Sequence, residues 1–284
     1  MPIKSFIGTF LIIVSSSIAT ADSSWVPLSI DASGAIVVPV HVNGRGPFRF
    51  LLDTGSSHSV MSRSLADGLN LEFIARTPVT TTTGREMRPV VKLDQTAIGT
   101  VRFDGLLASV ADSAQLAALT QNIEGIIGQD FLFGFNYTLD YRHHRLSWTD
   151  DDARDGGTRL PLVVEQGRYL VRLRSHGTRA PVLLVPDSGS NGFVLYARDG
   201  RTPLPLEPAA VVLSVHSLSG GRDARAMILR ELKLGDVTVR DQPVALVSRD
   251  AGNRLEGDGL LPLHLFDSVS FNARDKQLTI RARK

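Results

Sequence analysis

Two short stretches of this chain carry the same pattern, and together they restrict its fold more than any other feature. Phe50-Leu51-Leu52-Asp53-Thr54-Gly55-Ser56-Ser57 runs apolar residues into an acid, a hydroxyl residue and a Gly turn. Leu184-Val185-Pro186-Asp187-Ser188-Gly189-Ser190-Asn191 does the same, 134 positions later in a chain of 284. No other Asp-Thr-Gly or Asp-Ser-Gly triplet occurs, and average residue usage gives a chance expectation of roughly 0.1 for a chain of this length. Two such triplets, each closing an apolar strand-like run, point to an internally duplicated protein that brings one carboxylate from each half to a shared site.

The flanks repeat as well. Apolar and β-branched residues dominate from Ala35 to Val42, Asn43-Gly44 marks a turn, and Pro47 to Leu52 returns toward Asp53, which predicts a β-hairpin. In the second half Tyr169 to Arg174, a turn at His176-Gly177, and Ala180 to Val185 lead into Asp187. Each carboxylate is therefore expected in the loop just after a buried strand. Ser62 is placed to cap a short helix through Leu65 and Leu69 that ends near Asn70, and Asp112 or Ser113 to cap another over Ala114 to Leu119. About thirty positions past each Asp lies a β-prone stretch with Gly at its tip, Thr80-Thr81-Thr82-Thr83-Gly84-Arg85 and Val215-His216-Ser217-Leu218-Ser219-Gly220-Gly221. One reading makes these ordinary surface hairpins; the other makes them arches over a cleft, with Thr83, Gly84, Gly220 and Gly221 gripping an extended substrate. Gly125-Ile126-Ile127-Gly128-Gln129-Asp130 and its counterpart Gly259-Leu260-Leu261-Pro262-Leu263-His264 follow, again 134 apart, and a closing hairpin ends each half.

At the N-terminus, Lys4, an apolar run from Phe6 to Val14, a Ser-rich tail and Ala19-Thr20-Ala21 form a secretory signal pattern over residues 1–21. The apolar run is shorter than the ~20 residues that span a bilayer, so no integral membrane span is expected after signal removal, and the destination is secreted or periplasmic. The chain has no Cys, so the exported protein must hold together by its core, and 43% apolar content is ample for that. Residues 22–149 and 161–284 are expected as two lobes, with 150–160, opening on Asp150-Asp151-Asp152, as a polar linker. Formal net charge is +2, from 31 basic and 29 acidic residues spread along the chain, which gives no nucleic-acid-binding stripe.

Asp53-Thr54-Gly55-Ser56-Ser57 with Gly125-Ile126-Ile127-Gly128, and Asp187-Ser188-Gly189-Ser190 with Gly259-Leu260-Leu261, resemble the signature pairs of aspartic endopeptidases of the pepsin and retropepsin superfamily. In lobe length and lack of disulfides the chain is similar to bacterial two-lobed aspartyl proteases built from fused retropepsin-like lobes. The resemblance implies an all-β, two-lobed acid protease fold with pseudo-twofold symmetry and a few short helices. It further implies one Asp from each lobe on the floor of a central cleft, a flap above, and a monomer acting on polypeptide. By the same carry-over Thr54 and Ser188 cross-brace the two loops, Ser56 and Ser190 hydrogen-bond the outer carboxylate oxygens, and Gly128 packs behind the first loop. The departures fall in the second half: Pro186 before Asp187, Pro262 for Gly128, and His264 for Asp130. The first flap stretch has no Tyr, which the larger pepsins have there.

The chemistry asks for two carboxylates on its own account. Held about 3 Å apart they cannot both ionise, so they share a proton. The charged member then takes a proton from a water between them while the protonated member polarises the scissile carbonyl, with neither metal nor cofactor. Competing sites are weaker. His143-His144 reads as a solvated turn without a third ligand, Asp150-Asp151-Asp152 as a solvated linker, and Ser56, Ser57 and Ser190 do not sit in a Gly-x-Ser-x-Gly elbow. Two rivals to the endopeptidase stay open: a peptide-binding module with an impaired second lobe, and a protease active only as a dimer of first lobes.

Overall fold

The computed structural model describes residues 25–149, 156–174, 180–198, 200–248 and 257–283. The signal pattern, the turn at His176-Gly177 and Asp150-Asp151-Asp152 lie outside them.

Strands β1 (Trp25–Pro27), β2 (Ser29–Ile30), β3 (Ile36–Val42), β4 (Arg45–Leu52) and β5 (Val60–Ser62) precede helix α1 (Arg63–Gly68). Next come β6 (Phe73–Thr80), β7 (Arg85–Ile98), β8 (Val101–Ala111) and α2 (Ser113–Ala117). The first half ends with β9 (Gly125–Ile127), α3 (Gln129–Leu132), β10 (Tyr137–Asp140) and β11 (Arg145–Ser147). The second contributes β12 (Thr158–Glu165), β13 (Arg168–Leu173), β14 (Val182–Asp187), β15 (Phe193–Ala197), β16 (Glu207–Ser217), β17 (Gly220–Leu234) and β18 (Val237–Ser248). It closes with β19 (Gly259–Pro262), a 3-10 turn at Leu263–Leu265, β20 (Phe266–Asn272) and β21 (Gln277–Ala282).

Local chemistry explains the boundaries. Asn43 (φ 49) and Gly44 (φ 73) both adopt the left-handed region, the two-residue turn whose twist matches a hairpin, and join β3 to β4. Gln166 (φ 47) and Gly167 (φ 77) do the same between β12 and β13. The Ser62 hydroxyl caps α1 by accepting from the Leu65 N–H at 3.1 Å, and Asn70 at φ 55 ends that helical turn. Asp112 is the N-cap of α2, which spans Ser113–Ala117. Residues 158–160, read from composition as the end of a linker, instead open β12: Thr158 faces Ile280 and Leu160 faces Leu278 of β21.

The described strands form two sheets. One has eight strands in the order β2-β3-β4-β9-β5-β8-β7-β6, with a further β3–β7 pairing. The other has thirteen in the order β1-β11-β10-β20-β21-β12-β13-β14-β19-β15-β18-β17-β16. Around each Asp the pairing is the same. Leu51 and Leu52 of β4 run parallel to Ile126 and Ile127 of β9, and Val185 and Pro186 of β14 run parallel to Leu260 and Leu261 of β19. Val60 of β5 then pairs antiparallel with Ile126, as Val194 of β15 does with Leu260. The fold is thus all-β and two-lobed, with pseudo-twofold symmetry and short helices.

One apolar cluster runs through both halves, from Val26, Phe50 and Phe131 to Phe193, Phe271 and Ile280. Burying one such side chain contributes about 1.5–3 kcal/mol. The inward sides of β4 and β14 are pinned by it, so the loops that follow those strands are held on a rigid floor.

Candidate active site

Asp53 follows β4 and Asp187 is the last residue of β14, so two buried strands deliver two carboxylates to one place. The carboxyls of Asp53 and Asp187 face each other across the two Gly turns, close enough for each to act on the other's ionisation. Glycine at 55 and 189 is what allows this approach. A Cβ on Gly189 would lie 2.8 Å from the Asp53 carboxyl carbon, and a Cβ on Gly55 would collide with the Asp187 carboxyl group.

Each loop holds its own carboxylate with two backbone donors. The N–H groups of Gly55 and Ser56 donate to Asp53 Oδ1 at 2.9 and 3.0 Å. Those of Gly189 and Ser190 donate to Asp187 Oδ1 at 2.8 and 3.0 Å. The hydroxyls of Ser56 and Ser190, expected on the outer carboxylate oxygens, do not bond the carboxylates; their backbone N–H groups instead join those of Gly55 and Gly189 on the same Oδ1. Ser56 Oγ donates to the His58 carbonyl at 2.8 Å and Ser190 Oγ to that of Gly192 at 2.7 Å, closing each loop on itself.

Thr54 and Ser188 brace the two loops reciprocally. Thr54 Oγ1 donates to the Pro186 carbonyl (2.8 Å) and accepts from the Ser188 N–H (3.0 Å). Ser188 Oγ donates to the Leu52 carbonyl (2.6 Å) and accepts from the Thr54 N–H (3.0 Å). Thr54 is 0% and Ser188 1% exposed, so each of these bonds replaces water that cannot enter. Pro186 lacks an N–H, but the brace asks only for its carbonyl, so proline costs this contact nothing.

Behind the first loop a second network appears. Ser59 Oγ accepts from the Gly128 N–H (3.1 Å) and donates to Asp130 (2.6 Å), whose other oxygen accepts from the Ser59 N–H (2.7 Å). Gly128 fits because a Cβ would lie 2.7 Å from the His58 carbonyl carbon. At the corresponding positions of the second half stand Phe193, Pro262 and His264. These departures form one exchange: the hydroxyl acceptor, the N–H it served and the carboxylate are replaced together, although His264 Nδ1 is left buried without a partner among the described residues.

Burial pushes both dyad carboxyls above the ordinary Asp range. For Asp187, well above that range, the Asp53 charge adds to burial. The pair therefore holds a proton where isolated aspartates would have lost theirs, and its two titration steps belong to the pair.

The dyad lies in a cavity of about 1280 Å³ that is also lined by Thr80, Thr82, Ser217 and Leu218 from the two Gly-tipped hairpins. Those hairpins, β6–β7 and β16–β17, meet each other. Thr83 Oγ1 bonds Ser217 Oγ and donates to the Gly220 carbonyl at 3.1 Å. Arg88 Nη2 donates to the Leu218 carbonyl at 3.1 Å, and Ser219 Oγ donates to Glu86 at 3.1 Å. Gly84 lies at this junction, where a Cβ would meet Ser219 Cβ at 3.5 Å; Gly220 sits at φ 107, and Gly221 lies against the His216 ring. His143, by contrast, is at the β10–β11 turn, bonded to Asp140 at 2.8 Å.

One cleft residue escapes sequence reasoning. Arg168 begins β13, and its Nε donates to the Gly55 carbonyl at 2.8 Å, with its charge close to Asp53 and Asp187. In the sequence it is one of several Arg residues alternating with apolar ones; only its place right after the Gln166-Gly167 turn sets it apart.

Residues 38–131 match a family model described as aspartyl protease. The matched stretch contains Asp53 and Gly128 and ends before Asp187. No curated protein sequence matches the chain. Among solved structures, the basic 7S globulin from soybean is 11% identical, with 92% of this chain and 95% of that one covered at a TM-score of 0.51. Conglutin gamma, a basic 7S globulin from lupine seeds, is 13% identical over the same shares, with a TM-score of 0.53. A retropepsin-like aspartic protease from Rickettsia conorii is 18% identical over 43% of this chain and 87% of that one, at a TM-score of 0.32. The two globulins show the fold across nearly the whole chain.

Proposed function

We propose that the chain is an exported aspartic endopeptidase that hydrolyses peptide bonds with a water activated by Asp53 and Asp187. The observation that carries this reading is the reciprocal pairing of the two loops: two carboxyls facing each other across the Gly turns, each held by two N–H donors, on the floor of a cavity roofed by two hairpins. The proton held by the pair makes one carboxyl an acid toward the scissile carbonyl, while the other accepts a proton from the attacking water. The proton then passes to the leaving amine and the dyad resets. A cleft of this size takes an extended stretch of polypeptide. The match of residues 38–131 to an aspartyl protease family supports the same reading, and the signal pattern at 1–21 supports export.

Asp53→Asn and Asp187→Asn each abolish cleavage of a denatured protein substrate at acidic pH, and the double variant is hardly worse than either, since removing one carboxyl already removes the unit. The binding-module rival draws on the two globulins, whose names claim no protease activity; it expects no cleavage by wild type at any pH. A dimer of first lobes expects Asp187→Asn to stay active. Against that dimer stands the bonding of Thr54, whose hydroxyl is spent on Ser188 and Pro186 of the same chain. A folded Asp187→Asn variant cutting at the wild-type rate overturns the dyad reading.

A further inference from the structure

The charges around the dyad are one-sided. Among the described residues that line the cleft, Asp53 and Asp187 are the only acids, while Arg76, Arg85, Arg168, His58 and His216 are basic or protonatable. The whole chain carries only +2, so this is a local concentration. Some arginines elsewhere are matched, Arg230 at 2.7 Å from Glu207 and 3.0 Å from Asp241 and Arg145 at 3.0 Å from Asp140, whereas the side chains of others, such as Arg45 and Arg49, bond only carbonyls among the described residues. Among the described residues, neither Arg76 nor Arg85 has a carboxylate within ion-pair distance.

The cations occupy both floor and roof. Arg168 is fixed on the floor by its bond to the Gly55 carbonyl (2.8 Å), inside the loop that carries the first Asp. Arg76 is steadied in the first hairpin by a 3.0 Å bond from Nη2 to the Met87 carbonyl. Arg85 starts the returning strand of that hairpin, and His216 lies near the end of β16 in the other. A cleft lined by one sign of charge concentrates ligands of the opposite sign and discriminates against like-charged ones. A guanidinium also matches a carboxylate in shape, as a fork of parallel N–H donors.

We propose that the cleft selects acidic polypeptide segments, with a substrate Glu or Asp next to the scissile bond docking on Arg168 and further acidic residues meeting Arg76 and Arg85. The apolar strips from Ile74, Val79 and Leu107 in the same lining suit peptide side chains, which a sugar–phosphate backbone does not offer. This selectivity rests on the endopeptidase reading, and the test below separates the two.

Cut sites in a denatured protein are first mapped by mass spectrometry, and a pair of synthetic peptides is then made around one site, identical except for Glu or Gln beside the cut bond. At pH 5.5, where an ordinary glutamate (pKa ~4.3) is ionised, wild type is expected to favour the Glu peptide in kcat/KM by roughly tenfold, the scale of one charge-assisted contact. Arg168→Gln brings the Glu/Gln ratio close to one, and Arg85→Gln, distant from the dyad floor, lowers it partially. Equal rates for the two peptides in wild type, or a ratio unchanged in both variants, overturn the proposal. If wild type cuts nothing in the denatured protein, the endopeptidase reading fails, and fluorescence anisotropy of Glu and Gln versions of one peptide from that protein still decides the selectivity: tighter Glu binding supports it and equal binding overturns it. Oligo(dT) binding as tightly as the Glu peptide makes the cleft a general polyanion groove and also overturns it.

Discussion

Gly55 and Gly189 each leave a gap that the opposite carboxyl fills. Alanine at either position wedges a methyl group between the acids, and a displacement near 1 Å at a reacting centre costs about a hundredfold in rate. Gly189→Ala is therefore expected to lose about that much kcat while its thermal melt moves little, as parallel kinetics and calorimetry would show. The raised carboxyls also fix the pH dependence of stability. A group whose folded pKa lies above its unfolded value stabilises fully below the unfolded value and loses that contribution as pH rises through the folded one. For Asp53 and Asp187, both raised chiefly by burial, the cost falls at neutral pH. Asp187→Asn should accordingly melt higher than wild type at pH 7, with the gap closing toward pH 3. The brace behaves oppositely. Thr54→Val strands the Ser188 N–H and the Pro186 carbonyl without water, at about 1–3 kcal/mol for each group, which a urea titration would detect at any pH.

Much at the level of strands and turns was legible in the sequence because it is local chemistry. Asn43-Gly44 made its hairpin, Ser62 capped its helix, and the two runs into Asp53 and Asp187 became strands β4 and β14. What could not be read were contacts between elements distant in the chain. The Ser59–Asp130 network joins residues 71 apart, so Pro262 and His264 looked like separate defects until Phe193 completed the set. Asp130→His in the first half, made alone, leaves the Ser59 N–H and hydroxyl without acceptors and is expected to cost about 2–5 kcal/mol, whereas Asp130→Asn, which keeps one acceptor, costs less. The meeting of the hairpin tips was equally invisible, since Thr83 and Ser217 lie 134 residues apart. Thr83→Val with Ser217→Ala removes the bond between tips while leaving both strand ladders intact. Amide exchange should quicken at 81–84 and 217–220 and stay unchanged in β4 and β14.

At the scale of the molecule the two halves share a sheet. Tyr137, Thr138, Leu139 and Asp140 of β10 pair antiparallel with Phe271, Ser270, Val269 and Ser268 of β20. Tyr137 stacks on Phe271 at 4.7 Å, and Thr138 Oγ1 bonds Ser270 Oγ at 2.7 Å in the buried middle of the pairing. Two-lobed character was legible from the repeated Asp loops; this joint was not, because its partners are some 130 residues apart and have no motif. It has a consequence for how the protein comes into being. While the chain is being synthesised, the first half is complete long before residues 266–272 exist, and until they arrive β10 presents an open strand edge of the kind that recruits other chains. Residues 266–282 thus act as a closing signature: a nascent chain that has not yet reached them remains adhesive however well its earlier part has folded.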